Sequence, residues 1–273
     1  MMFSCASTLL RQAGAEDFRE AADSAASLGY DGLHLESVPG GLIDAASFSF
    51  KTSGELVHIA RGHELDIHCL SGDGWSGAEP DDPALGLKRL VCIAHALACP
   101  LVTVVPPALV TVEEFEARYE HAIAAMQEAV ELASELDICL ALEPAADSLA
   151  VNADEAVDFV DDVDRKNLGI VYNPGYLAMT GGESPITAVE LLKDYLLLVR
   201  LRGARERAVS SGDFDIVLRE LVAAQYSQYV ADMTECGQDT VPAQAMELLR
   251  SNIAHLRGIV PARERERERE REG

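Results

Sequence analysis

Short apolar runs that end in a polar residue alternate along the chain with longer stretches whose apolar positions recur every three or four residues. The short runs fall at Phe3 to Ser7, Gly32 to Glu36, Leu65 to Ser71, Leu101 to Pro106, Ile138 to Glu143, Leu168 to Asn173, Leu196 to Leu201 and Tyr229 to Met233. Runs this short read as buried strands, and the stretches between them as amphipathic helices. The clearest helical stretch places Phe115, Tyr119, Ala122, Ile123, Met126, Ala129, Val130 and Ala133 on one stripe, and Thr111 with Glu114 predicts a capping box at its start. Asn152 with Glu155, and Ser184 before Pro185, mark two further helix starts. Strands alternating with helices predict a parallel sheet, and eight such units in about 260 residues favour closure into a (β/α)8 TIM barrel over an open doubly wound sheet. One domain over residues 1–260 is expected, followed by a low-complexity Arg/Glu tail over 261–273.

Composition changes this picture little, and charge changes it more. A chain of 273 residues with 48% hydrophobic content buries a large core. No stretch reaches the roughly 18 to 20 uncharged apolar residues of a membrane span, and Met1 to Cys5 lacks a basic region before an apolar one, so a soluble, cytoplasmic protein is expected. The six cysteines are scattered without a Cys-x-x-Cys pair, which reads as reduced core residues and not as a disulfide frame or zinc site. The formal charge is −24, and only four of the basic residues are lysines. An acidic, lysine-poor surface stays soluble in high salt, so a halophilic source is expected. The same field disfavours nucleic acid and anionic membranes as partners.

In such a barrel the chemistry sits at the C-terminal ends of the strands. The polar residues there are Glu36, His68, Glu143, Asn173, Arg200 or Arg202, and Asp232 or Glu235. Glu143 anchors the set, because a carboxylate closing a buried strand is costly unless it is paired or faces a wet cavity. The irregular stretch from Gly72 to Pro83 is expected to rim or cover the mouth, with Trp75 either stacking on a sugar face or pinning the loop. Gly72, Gly74 and Gly77 have dinucleotide-turn spacing, but Pro80 and Pro83 forbid the long helix that would receive a pyrophosphate.

The segments Gly29-Tyr30-Asp31-Gly32-Leu33-His34-Leu35, Ala141-Leu142-Glu143-Pro144 and Gly169-Ile170-Val171-Tyr172-Asn173-Pro174-Gly175-Tyr176 resemble the second, fifth and sixth strands of xylose isomerase-like barrels. That family includes sugar and sugar-phosphate isomerases and epimerases and an apurinic endonuclease IV branch. In its isomerases a divalent cation, held by Glu, Asp, His and Glu, neutralises an enediolate while carboxylates move the proton. The resemblance supplies the first ligand as Glu143. It puts Asn173 and Tyr176 where Asp and His are expected, Arg200 and Arg202 in Val199-Arg200-Leu201-Arg202-Gly203 where relatives have Val-His-Leu-Lys-Asp, and Met233 in place of the last Glu, with Glu235 as a stand-in.

A guanidinium cannot ligate a cation. The expectation is therefore a barrel without a tightly bound metal, although Mn or Mg is not ruled out, in which Arg200, with Arg202, pairs with Glu143 and binds the ligand. Arg205 falls near the arginine that follows this motif in relatives. The function implied is a sugar or sugar-phosphate isomerase or epimerase with Glu143, His68 and Glu235 as catalytic groups and Arg200, Arg202, Arg205, Asn173, Glu36 and Trp75 as substrate contacts. The partner is a small sugar, and a homo-oligomer is compatible with it. The alternatives are a non-catalytic barrel that binds a polyhydroxyl or anionic ligand, and, least favoured, an endonuclease IV-like protein, whose metal cluster needs more His and carboxylate ligands than stand in place here.

Overall fold

The computed structural model describes residues 1–75, 84–108, 111, 114–179, 184–202, 212, 214–234, 236–237 and 239–260. Glu235, Arg205, most of the segment from Gly72 to Pro83 and the tail from 261 onward lie outside the described residues.

The eight apolar runs form eight strands: β1 (Met2–Ala6), β2 (Gly32–Glu36), β3 (Asp66–Ser71), β4 (Leu101–Val104), β5 (Cys139–Leu142), β6 (Leu168–Tyr172), β7 (Leu196–Leu201) and β8 (Tyr229–Asp232). They pair in chain order, all in parallel, and β8 closes on β1. The chain is thus a (β/α)8 TIM barrel, as the alternation predicts. Helices α1 (Ser7–Gln12), α2 (Phe18–Leu28), α3 (Ser53–Gly62), α4 (Leu85–Ala96), α5 (Phe115–Glu135), α6 (Ala153–Val163), α7 (Pro174–Met179), α8 (Pro185–Leu192), α9 (Asp215–Ala223) and α10 (Pro242–Ile259) fill the crossovers. No helix among the described residues is long and apolar enough to cross a membrane.

Local chemistry sets the helix ends. Asn152 Oδ1 accepts from the Glu155 amide at 2.9 Å while Glu155 Oε2 accepts from the Val151 amide at 2.7 Å, so α6 starts where its sequence signal stands. Ser184 Oγ likewise accepts from the Thr187 amide at 3.3 Å, with Pro185 opening α8. Gly29 ends α2 at a φ of 90°, a conformation that costs glycine nothing. The capping box expected at Thr111 and Glu114 does not form. Glu114 is itself the residue before α5, no side chain caps the helix, and its amide donates to Thr111 O at 3.3 Å. The α5 stripe packs inward from Ala122 to Ala133, whereas Phe115, 40% exposed, stacks on Tyr119 at its outer end.

Two irregularities in the ladder matter for what faces inward. Leu33 pairs with Ile67 but His34 pairs with Cys69, so His68 is an extra residue in β3. Ile170 pairs with Leu196 but Val171 with Leu198, which makes Leu197 the extra residue in β7. Such bulges re-aim side chains that strict alternation would send elsewhere.

Candidate functional site

A cavity of about 750 Å³ opens at the C-terminal ends of the strands. Its polar lining includes Glu36, Ser71, Thr103, Glu143, Arg200 and Arg202. They come from the ends of five strands, because inward positions two residues apart climb one strand toward the mouth.

Glu143 follows β5 directly and continues its pairing, its amide donating to Val104 O at 2.9 Å. The carboxylate is 6% exposed and the Arg200 guanidinium 7%, and Arg200 Nη1 donates to Glu143 Oε2. Asn173 Nδ2 donates to the other oxygen, Oε1, at 2.9 Å. Arg200 Nη2 reaches Thr103 Oγ1, and lies 3.1 Å from His34 Nε2, which accepts because a guanidinium only donates. Burial works against the charge on Arg200, but Glu143 beside it, together with Cys69 and Glu36, outweighs that cost and keeps the guanidinium protonated. Its Nε is buried without a hydrogen-bond partner.

The same physics neutralises the histidines. Burial, then the nearby Arg200 charge, pushes the His34 pKa well below its usual value. Burial outweighs the His68 hydrogen bond to Leu33 O and, with the Arg200 charge acting the same way, brings His68 down to about 3.

The Asn-Pro-Gly motif has a mechanical reason. Asn173 Oδ1 accepts from the Tyr176 amide at 3.2 Å, and a Cβ on Gly175 would lie 2.2 Å from Arg202 O, so only glycine lets the end of β7 approach. Glu36 is fixed by α1: Thr8 Oγ1 and the Thr8 amide donate to Glu36 Oε2, and the Glu36 amide donates to Ser7 Oγ at 2.9 Å. Trp75 pins its segment through Nε1–H to Val105 O at 2.6 Å and also lines the cavity rim.

Several sequence candidates are placed elsewhere. His68 does not reach the mouth. The bulge turns it into the barrel, where it stacks on Tyr229 at 4.1 Å and lines a second cavity, of about 460 Å³, at the N-terminal strand ends. Asp232 faces away from the barrel axis, held by Tyr30 Oη at 2.7 Å, Thr234 Oγ1 at 2.7 Å and Asn252 Nδ2 at 3.0 Å. Burial raises its pKa although every one of those hydrogen bonds lowers it. Glu235 and Arg205 lie outside the described residues. Sequence reasoning missed Thr103, legible only as the polar residue in Leu101-Val102-Thr103-Val104, and Arg118, which reaches the cavity from α5 with no motif to mark it.

The profile of xylose isomerase-like TIM barrels matches residues 22–257. The chain belongs to that family. Among solved structures, D-psicose 3-epimerase from Clostridium cellulolyticum H10, crystallised with D-tagatose, superposes with a TM-score of 0.75 at 16% identity over 95% of this chain and 98% of that one. The 3-keto-D-glucoside 4-epimerase from E. coli gives 0.77 at 16% identity, covering 94% and 99%. A probable 3-DHS dehydratase from Bacillus anthracis gives 0.75 at 14%, covering 94% and 98%. At these identities the likeness is one of fold. No curated protein matches the chain in sequence.

Proposed function

We propose that this xylose isomerase-like barrel is a sugar epimerase or isomerase that moves a proton at a carbon next to a carbonyl or hydroxyl, with a guanidinium doing the work of the family's cation. The observation that carries this reading is the buried Glu143–Arg200 pair at the floor of the mouth cavity. Removing a proton beside a carbonyl leaves an enediolate, and a preorganised positive charge stabilises it without reorganising solvent. Arg200 supplies that charge beside Glu143. Glu36 and Glu143 line the same cavity, so one takes the proton and the other returns it. Two of the structural neighbours are sugar epimerases by name, one bound to a ketohexose, which favours a small ketose as substrate.

Among the described residues, those at this position do not fit a hard divalent cation. Such an ion needs several anionic oxygen donors around it. Here Arg200 Nη1 lies on Glu143 Oε2, Asn173 presents an uncharged amide whose Nδ2 faces Glu143, and Met233 is a buried thioether. A second reading, a barrel that binds a polyhydroxyl or anionic ligand without turning it over, is favoured by one observation: both oxygens of Glu143 are engaged, one by Arg200 and one by Asn173.

The test is an assay of chelator-treated protein on D-psicose, D-fructose and D-tagatose, with and without Mn²⁺ or Mg²⁺. Turnover in chelator, falling by roughly 100-fold or more in Glu143→Gln, is expected for a proton-transfer carboxylate. Turnover that appears only after metal is added overturns the guanidinium reading. Saturable ketose binding without turnover assigns the second one.

A further inference from the structure

We propose that His34, His68 and Cys69 form a binding site for a soft monovalent cation, copper(I), inside the barrel and one layer below the mouth cavity. The inference does not rest on the sugar chemistry proposed above, although His34 touches Arg200. His34 stands two residues before Glu36 on β2, and Cys69 two residues before Ser71 on β3, and Glu36 and Ser71 line the cavity. The three side chains are therefore the inward layer immediately beneath it.

The bulge in β3 creates the cluster. In a regular strand His68 and Cys69 point to opposite faces. Because His68 is the extra residue, its imidazole and the Cys69 thiol both turn inward beside His34. A nitrogen of each imidazole and Cys69 Sγ fall within 4.8 Å of one another, and all three residues are buried.

Two independent details point to a ligand. His34 Nδ1 and His68 Nε2 are fully buried nitrogens without a hydrogen-bond partner, which an apolar interior does not tolerate at no cost. His68 also holds the orientation that metal-binding imidazoles adopt: Nδ1–H donates to Leu33 O at 3.1 Å and leaves the Nε2 lone pair turned away from it. On the other ring, Ser71 Oγ lies 3.1 Å from His34 Nε2 and accepts from it once Nδ1 is occupied.

The donor set and its charge select the ion. Two imidazoles and one thiol, with no carboxylate, suit a soft or borderline cation and not Mg²⁺, Ca²⁺ or Mn²⁺. The Arg200 guanidinium, 3.1 Å from the far nitrogen of His34, penalises any excess positive charge. On binding, the Cys69 S–H bond breaks, a Cu–S bond forms and one proton leaves to solvent. The proton on His34 moves from Nδ1 to Nε2, and Nη2 of Arg200 gives up that nitrogen while keeping Thr103. Copper(I) with one thiolate is neutral, whereas zinc(II) would leave one uncompensated charge beside the guanidinium. Oxidation states do not change.

The test titrates the reduced, oxygen-free protein with copper(I) supplied as its bicinchoninate complex, whose colour is lost when protein takes the metal. One equivalent per chain is expected to transfer. Cys69→Ser and His68→Phe should each weaken uptake by at least the roughly 10- to 100-fold that even an outer-shell partner is worth. Zinc(II) should bind more weakly than copper(I). X-ray absorption at the copper edge of the unmodified protein gives a readout that needs no variant, and a shell of two nitrogens and one sulfur is expected. Failure to take copper from the complex, uptake unchanged in folded Cys69→Ser, or a shell of sulfur alone, as exposed Cys92 and partly exposed Cys236 would give, overturns the site.

Discussion

Replacing Arg200 with methionine tests the centre of the site. The substitution keeps most of the side-chain volume and removes the charge. Thr103 retains its contact with Cys69 Sγ, and His34 Nε2 retains Ser71 Oγ, so neither is stranded. Glu143 is stranded: at 6% exposure it keeps only the Asn173 amide. Breaking one side of a buried ion pair costs about 3–5 kcal/mol, chiefly the isolation of the remaining charge. For a barrel of this size that corresponds to a fall in melting temperature on the order of 10 °C, read by circular dichroism. Adding Glu143→Gln removes the isolated charge while leaving an acceptor for Asn173, so the double variant is expected to melt above Arg200→Met alone. A loss below about 1 kcal/mol, the range of an exposed pair, or a double variant less stable than both singles, refutes the buried-pair reasoning.

The remaining predictions concern the frame around that pair. His68 has a folded pKa of about 3, so between that value and about 6.5 the unfolded chain takes up a proton that the fold refuses, and stability falls as the pH drops. His68 alone should cost about 2 kcal/mol between pH 7 and pH 5, a loss missing from His68→Phe in melts at the two pH values; equal losses in both proteins would contradict it. Asp232, whose pKa is raised, contributes with the opposite sign at lower pH and cancels in that comparison. Gly175→Ala puts a Cβ 2.2 Å from Arg202 O, so the end of β7 must move. It is expected to destabilise by about 1–3 kcal/mol and to weaken ketose binding measured by calorimetry; an alanine variant with wild-type melting and binding would show that the approach is not required.

The sequence by itself determined the barrel and most of its mouth. Parallel strands covered by helices are buried on both faces, so each reads as a continuous apolar run, and the observed ends fall within about two residues of those runs. The polar residues that end the runs reach the mouth because strand direction is fixed by the fold, which is why Glu36, Glu143, Asn173 and Arg200 converge although 164 positions separate the first from the last.

Only the tertiary structure decided which neighbour each of them meets. Strand parity sends Asp232 outward to Tyr30 and Asn252, a choice that one residue of register would reverse. The extra residue in β3 turns His68 into the barrel beside Cys69 and His34, and nothing in the local sequence marks that bulge. Arg118 enters the cavity from a helix whose rotation is fixed by packing over its whole length. Apolar periodicity is a local property written residue by residue, whereas register, bulges and helix rotation are settled by contacts between segments far apart in the chain.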